Sequence, residues 1–204
     1  MRKFAAVATI LAILGTAHPG FATEPGGEAE TKAEPPIPAA PLASLFGGPF
    51  ELVDHDGQIR RDSDFKGKHL LIFFGYTYCP SICPTNLQAV GTALDALGSK
   101  AKDVQPLFIT VDPERDTPEI LREYLAHFHP ALLGLTGSEK QIRQAAKAYK
   151  VHRRKVVHSK DDPSYYDVDH GTITYLIGKD GKFLTLFPHD TAPKVMAERI
   201  EKYL

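Results

Sequence analysis

Two cysteines separated by three residues lie between an apolar run and a helical pattern. Cys79 and Cys83 are the only cysteines in the 204-residue chain. The continuous apolar run Leu70–Phe74 is typical of a strand buried on both faces, and Gly75 ends it. A helical period predicts a helix from Pro84 to Leu97, with its apolar side chains at Leu87, Val90, Leu94 and Leu97. The two thiols are therefore expected in a strand-to-helix turn.

The proline after the second cysteine refines this prediction. Pro84 suits the first position of a helix, where a missing N–H group costs nothing. A proline also disfavours the α conformation in the residue before it, so Cys83 is expected at the helix cap and Cys79 in the loop ahead. Unpaired N–H groups at a helix N-terminus favour thiolate over thiol. We therefore expect at least one of the two cysteines to have a lowered pKa, and the pair to form a reversible disulfide.

Such a pair has more than one possible role. The two sulfurs are placed to form a disulfide or to bind one soft metal ion. The simpler alternative is a structural disulfide, or two buried free thiols that act as small apolar side chains. A disulfide that closes so short a loop would add little stability. The strand–turn–helix context therefore favours a reactive or metal-binding pair.

Composition limits the class of protein. Hydrophobic residues make up 43 % of the chain and charged residues 24 %, which indicates one globular domain with extensions. The formal net charge is −1 and no basic run stands out, so nucleic-acid binding is not favoured.

The N-terminal residues resemble an export signal. Arg2 and Lys3 precede an apolar run from Phe4 to Ala17, and Gly20-Phe21-Ala22 provides a small-x-small cleavage site. Residues 1–22 are therefore predicted to be a signal peptide, with an uncleaved anchor as the alternative. Since no cysteine lies nearby, a lipoprotein anchor is excluded. Residues 23–45, rich in Pro, Glu and Ala, are predicted to be a disordered linker, and residues 46–204 to form the domain.

Strand and helix patterns alternate through this domain. A hairpin with an Asp-Gly turn is expected over residues 50–60, followed by the cysteine strand and helix. Further strands are predicted at 105–111, 132–135, 172–177 and 183–187, with helices after Thr117 and Ser138 and from about 192 to 203. This order predicts an α/β, thioredoxin-like fold with a central mixed sheet flanked by helices and an N-terminal β-hairpin. The motif is C-x-x-x-C, whereas the thioredoxin-like oxidoreductases have C-x-x-C.

A soft ion held by two thiolates needs a third donor, and His170 is the candidate. It stands just before the predicted strand that begins at Thr172. In a thioredoxin-like sheet this segment lies beside the active-site turn, where such enzymes normally carry a cis-proline. The chain has no proline between Pro163 and Pro188. Asp169 is expected either to orient the His170 imidazole or to be an exposed carboxylate.

The remaining histidines and acidic residues are given other roles. Asp112 and Asp116 are expected to cap and shape their loop. His69, at the start of the cysteine strand, is interpreted as structural, and His18 is removed with the signal. The other histidines are interpreted as solvated surface residues: His55, His127, His129, His152, His158 and His189.

Three motifs together resemble the Sco/SenC family. They are Tyr76-Thr-Tyr-Cys-Pro-Ser-Ile-Cys-Pro84, Val111-Asp-Pro-Glu-Arg-Asp-Thr-Pro118 and Tyr166-Asp-Val-Asp-His170, in the order of that family and with roughly its spacing. The resemblance covers the chain from about residue 46 to its end. It implies a copper protein, with Cys79, Cys83 and His170 as ligands of Cu(I) or Cu(II). Thiolates favour Cu(I) and imidazole suits both oxidation states.

The resemblance also implies a function and a location. Sco/SenC proteins are tethered to a membrane or exported, and they serve in building the binuclear copper site of cytochrome c oxidase. The implied function is a copper chaperone that delivers copper to this site, with reduction of the target cysteines as a second implied role. The expected partners are the oxidase copper-site subunit, an upstream copper donor and a thiol reductant. The expected location is the periplasm or the outer face of the inner membrane, and the short N-terminal segment departs from the usual membrane anchor.

Two other functions use the same thiols. A thiol–disulfide oxidoreductase without copper delivery would need Cys79 and Cys83 but not His170, so this histidine separates the two functions. A peroxiredoxin-like peroxidase would rest on Thr77 alone, which is a weak signal.

Overall fold

The computed structural model describes residues 45–204. The predicted signal or anchor at 1–22 and the predicted linker, except Leu45, lie outside the described residues. The strands are β1 Glu51–Asp54, β2 Ile59–Arg61, β3 His69–Gly75, β4 Val104–Thr110, β5 Leu133–Thr136, β6 Arg153–Val157, β7 Tyr166–His170, β8 Thr174–Ile177 and β9 Phe183–Phe187. The α-helices are α1 Ile82–Leu97, α2 Pro118–Leu125, α3 Glu139–Ala148 and α4 Pro193–Glu201. Short 3₁₀ helices cover Asp62–Phe65 and Gly98–Asp103.

The main sheet has seven strands in the order β2-β1-β5-β4-β3-β8-β9. Strand β3 runs parallel to β4 and antiparallel to β8, and β4 runs parallel to β5. Strands β1 and β2 form the predicted N-terminal hairpin. The sheet is therefore mixed, and the predicted thioredoxin-like α/β fold is confirmed.

The two central strands carry the core. Every residue of β3 is buried, as expected for an apolar strand covered on both faces. Phe73, Phe74 and Phe108 are at most 1 % exposed, and each such side chain contributes roughly 1.5–3 kcal/mol through burial. The end of β3, from which the cysteine loop continues, is thus fixed by a well-packed core. Among the described residues, we find no helix with the length and apolar content that a membrane crossing requires.

Helix caps agree with the sequence, with one correction. Thr117 accepts a hydrogen bond from the N–H of Ile120, and Ser138 accepts one from that of Gln141, so both predicted caps are confirmed. Helix α1 begins at Ile82, two residues before Pro84, so the prediction of Pro84 as first helical residue and Cys83 as cap is wrong. Proline is tolerated throughout the first turn because those N–H groups lack intrahelical acceptors.

A second sheet was not predicted. Strands β6 and β7 pair in antiparallel fashion, with Arg153 opposite His170 and Val157 opposite Tyr166. We call this pair, with its connecting segment, the 153–170 hairpin. His170 is therefore the last residue of a strand, whereas the sequence predicted a strand only from Thr172 onward. The strand alternates between buried Tyr166 and Val168 and exposed Asp167 and Asp169.

Candidate metal centre

The fold brings together the three residues proposed as ligands. One donor atom each of Cys79, Cys83 and His170 lies within 4.8 Å of the other two. Cys83 Sγ is 3.7 Å from His170 Nε2, although 87 positions separate these residues in sequence. Within residues 45–204 no other group of three or more His, Cys, Asp or Glu side chains has such spacing. Two sulfurs and one imidazole form a donor set that suits a soft metal ion.

The first turn of α1 places the two sulfurs. The backbone N–H of Cys83 donates to Cys79 Sγ at 3.4 Å, whereas the hydroxyl of Ser81, the residue before the helix, makes no capping bond. The Cys79 sulfur thus does the work of a helix cap, and Pro84 has no N–H group to satisfy. Placement at the helix N-terminus was predicted, but the capping role of the sulfur was not.

A glycine makes room for the buried thiol. A Cβ atom on Gly75 would lie 2.8 Å from Cys83 Sγ and 2.7 Å from the Phe108 ring. Both distances are shorter than van der Waals contact. Cys83 is 0 % exposed, so its sulfur is enclosed by other atoms and a Cβ atom at position 75 would clash with it. Gly75 therefore does more than end the apolar run: it lets the strand pass directly under the sulfur.

His170 is oriented by backbone and aromatic contacts. Its Nδ1 lies 2.8 Å from the carbonyl oxygen of Gly171, which makes Nδ1 the protonated nitrogen and leaves the Nε2 lone pair towards Cys83. The Tyr76 ring meets the imidazole edge-on at 5.6 Å between centroids.

The expectation that Asp169 orients the imidazole is wrong. Its carboxylate lies 3.3 Å from His152 Nε2 and 3.2 Å from Arg154 NH2. Successive side chains of a strand point to opposite faces, so Asp169 turns away from its neighbour His170. The other expected outcome, an exposed carboxylate, is confirmed.

The loop after β4 anchors the cysteine loop. The buried Asp116 carboxylate accepts hydrogen bonds from the Thr77 N–H at 3.1 Å and the Thr77 hydroxyl at 2.7 Å. It also accepts one from the Thr110 hydroxyl at 2.6 Å. Burial raises the pKa of Asp116, and these hydrogen bonds oppose that effect. Asp112 accepts hydrogen bonds from Arg115 and from the Tyr166 hydroxyl. Asp112 shapes its loop through Arg115, as predicted, whereas Asp116 joins that loop to the cysteine loop; the helix cap is Thr117 and neither carboxylate.

Arg115 is a residue of the site that the sequence did not reveal. Its guanidinium carbon lies 3.7 Å from the Tyr166 ring centroid and 4.5 Å from that of Tyr78. It also donates to the Tyr166 carbonyl oxygen at 3.1 Å. Arg115 therefore links the loop after β4, the cysteine loop and strand β7, which carries His170. The tyrosines that flank both ligand motifs in the sequence are the signal that could have indicated an arginine packed between them.

Comparison with known proteins agrees with this geometry. The family model for SCO1/SenC matches residues 38–204. The chain belongs to the SCO1/SenC family. An SCO2-like protein of Rickettsia felis is 46 % identical over 153 residues, which are 75 % of this chain and 74 % of that protein. The structure of Bradyrhizobium japonicum ScoI with copper bound is 42 % identical and superposes with a TM-score of 0.72, covering 78 % of this chain and 99 % of that one.

A further SCO1/SenC relative concerns redox chemistry. BsSco, described as a member of the Sco family of cytochrome c oxidase assembly proteins with a disulfide switch, is 26 % identical. Its TM-score is 0.62, and the match covers 78 % of this chain and 94 % of BsSco.

The two thiols of this SCO1/SenC chain differ in acidity. A hydrogen bond between the two cysteine side chains lowers the pKa of Cys79 far below that of an ordinary thiol. The His170 side chain and the backbone N–H groups of Cys83 and Ser81 act in the same direction, and burial opposes them. The same side-chain hydrogen bond, together with burial, raises the pKa of Cys83. Cys79 is therefore the thiolate and Cys83 keeps its proton, as expected for a cysteine at a helix N-terminus paired with a buried thiol.

This difference predicts the pH dependence of alkylation. In the reduced, metal-free protein, Cys79 should react with iodoacetamide at half its maximal rate well below pH 8.5, the approximate pKa of a free cysteine. The reason is that the thiolate is the nucleophile and persists to lower pH when its pKa is depressed. Buried Cys83 is the internal control and should stay unmodified. Site-resolved mass spectrometry measures both, and a half-maximal rate for Cys79 at or above pH 8.5 would contradict the assignment.

Proposed function

We propose that this chain is a copper chaperone that binds copper through Cys79, Cys83 and His170 and delivers it to the binuclear copper site of cytochrome c oxidase. The observation that carries the proposal is the approach of the three donors to within 4.8 Å. It is supported by the copper-bound ScoI structure, to which this chain is similar over most of its domain.

The donor set suits copper in both oxidation states. Thiolates favour Cu(I), and a neutral imidazole suits Cu(I) and Cu(II). With two thiolates and one neutral histidine, the site has net charge −1 with Cu(I) and zero with Cu(II). Three protein ligands leave room for a donor from the partner, so copper can leave by ligand exchange. Half-buried Cys79 is the ligand that a partner reaches first, since Cys83 is fully buried.

The partners follow from this exchange. The acceptor is the copper-site subunit of the oxidase, and an upstream donor must supply the copper. An exported protein meets an oxidising compartment, so Cys79 and Cys83 also need a thiol reductant before they can bind Cu(I). BsSco is described as an oxidase assembly protein with a disulfide switch. This description supports an oxidase as the acceptor and a cysteine pair that must be reduced.

Reduction of the target cysteines is the second candidate function, and the unequal thiols favour it. The Cys79 thiolate would attack a target disulfide, form a mixed disulfide and release one target thiolate. Cys83, after losing its proton to solvent, would attack the Cys79 sulfur and release the second thiolate. Two electrons pass to the target, and the Cys79–Cys83 disulfide then needs the external reductant. His170 is not a reactant in these steps.

The proposed location rests on the first 22 residues. We expect export with cleavage after Ala22, a linker over residues 23–45 and the folded domain at 46–204 on the outer side of the inner membrane. After expression in a Gram-negative host, N-terminal sequencing of the periplasmic fraction should read from Thr23. A control chain that lacks residues 2–22 should stay in the cytoplasm. A membrane-bound protein that retains Arg2 would favour the uncleaved anchor, and full-length protein in the cytoplasm would contradict export.

The proposed ligand set predicts the behaviour of His170→Ala. The variant should keep its fold and its dithiol, because the imidazole is only half-buried. It should lose the Cu(II)–thiolate absorption of the wild type, since imidazole is the ligand that suits the harder ion. Cu(I) should still bind the two sulfurs, with affinity lower by about tenfold or more, which is at least ~1.4 kcal/mol. Copper stoichiometry, absorption spectra and competition with a Cu(I) chelator measure these effects.

Exposed His127 provides the matched control. His127→Ala should bind Cu(I) and Cu(II) as the wild type does. An unchanged Cu(II) site in His170→Ala would remove His170 from the ligand set and favour the reductase, with His158 or Asp169 as the next donors to test. His170→Ala should still carry out dithiol exchange with a model disulfide in either case, because the imidazole is not a reactant in that exchange.

A further inference from the structure

The candidate ligands share a cavity with a second set of donors. Cys79 and His170 line a cavity of about 370 Å³ beside the first turn of α1. Another wall, formed by the 153–170 hairpin that also carries His170, includes His158 and Asp167. The cavity is far larger than one ion, so a hydrated ion can enter it before it meets the buried sulfur of Cys83.

A carboxylate orients the His158 imidazole, as is usual for histidines that bind metal ions. Its Nε2 lies 2.8 Å from Asp167 Oδ2, and its backbone N–H donates to the Tyr165 carbonyl oxygen at 2.9 Å. Because the carboxylate accepts the proton at Nε2, the lone pair is on Nδ1, as in histidines whose second nitrogen is fixed by a carboxylate. The His158 side chain is 35 % exposed, so this nitrogen is accessible.

The charge of this wall favours a cation. Asp167 and Asp169 line the cavity together with Cys79, and among residues 45–204 no Lys or Arg lines it. Arg154 neutralises Asp169 by an ion pair, but among residues 45–204 the Asp167 carboxylate is paired only with His158. Clefts lined by one sign of charge concentrate the opposite ion. The similarly sized cavity near the Lys179 turn differs, since three lysines line it.

We propose that His158, held by Asp167, is the first protein ligand of incoming Cu(II) and passes it across the cavity to Cys79, Cys83 and His170. This inference rests on the proposed function. His158 Nδ1 displaces one water from the hydrated ion. Water then replaces the imidazole, and after the ion has crossed the cavity the Cys79 thiolate displaces one of its waters. The remaining proton of the thiol pair goes to solvent, and no electron moves. Nitrogen and oxygen donors suit Cu(II), which makes His158 a transient ligand and the sulfur site the resting one.

Stopped-flow kinetics tests this path. Reduced, metal-free full-length protein is mixed with Cu(II) sulfate without oxygen, and growth of the Cu(II)–thiolate absorption gives a second-order rate constant. In His158→Gln the rate constant should fall by about tenfold. Loss of a residue that supports a metal site lowers metal affinity or activity by about 10- to 100-fold, and we expect the lower end of this range. The final spectrum and the stoichiometry should match the wild type. Asp167→Asn should slow binding to a smaller extent, because His158 remains but loses its orientation.

His152→Gln is the matched control. His152 also pairs with a carboxylate of the hairpin, Asp169, but is 62 % exposed and does not line the cavity. Its rate constant should equal that of the wild type. Equal rates in wild type and His158→Gln, equal slowing in His152→Gln, or an altered final spectrum in His158→Gln would each overturn the inference alone. No Cu(II)–thiolate absorption in the wild type would overturn the proposed function as well.

Discussion

The pairing of β3 with its two neighbours is the constraint on which the site depends. Strand β3 runs antiparallel to β8, with Phe73 opposite Thr174, so the end of β3 meets the start of β8. The cysteine loop follows the end of β3, and His170 lies a few residues before the start of β8. Because the β3 core is buried along its whole length, a change of register would disrupt many apolar contacts. The geometry of three small donors is thereby fixed by the largest part of the core.

Much of this arrangement was predictable because its signals are local and strong. The apolar run of β3, the helical period of α1 and the caps Thr117 and Ser138 each specify an element without tertiary information. The choice of His170 required a fold assumption, since nothing in the residue itself separates it from other histidines. Once the sheet order was assumed, its position before a buried strand brought it beside the cysteines.

Other features could not be predicted because tertiary contacts decide them. The 153–170 hairpin is highly polar, and only the alternation of Tyr166 and Val168 with two aspartates indicates a strand. The true start of α1 depends on the Cys79 sulfur, which accepts the Cys83 N–H. Asp169 failed as an orienting residue because strand geometry turns it away from its neighbour, and a carbonyl oxygen, invisible in any motif, takes its place.

The same two sulfurs can either bind a metal ion or form a disulfide. Reduced and metal-free, they share a proton, since the hydrogen bond between them lowers the pKa of Cys79 and raises that of Cys83. A metal ion displaces that proton, and loss of two electrons replaces it by a disulfide. Copper binding and thiol exchange therefore compete for the same atoms, and His170 is a ligand in the first but not a reactant in the second.

X-ray absorption of the copper-loaded, reduced protein tests this account most directly. The geometry predicts one Cu(I) per chain with two sulfur scatterers and one nitrogen scatterer in its first shell, and loss of the nitrogen scatterer in His170→Ala. A copper with three or more thiolate neighbours would require a second chain, because this sequence contains only two cysteines. That result, or a shell of nitrogen and oxygen alone, would contradict the ligand set of Cys79, Cys83 and His170.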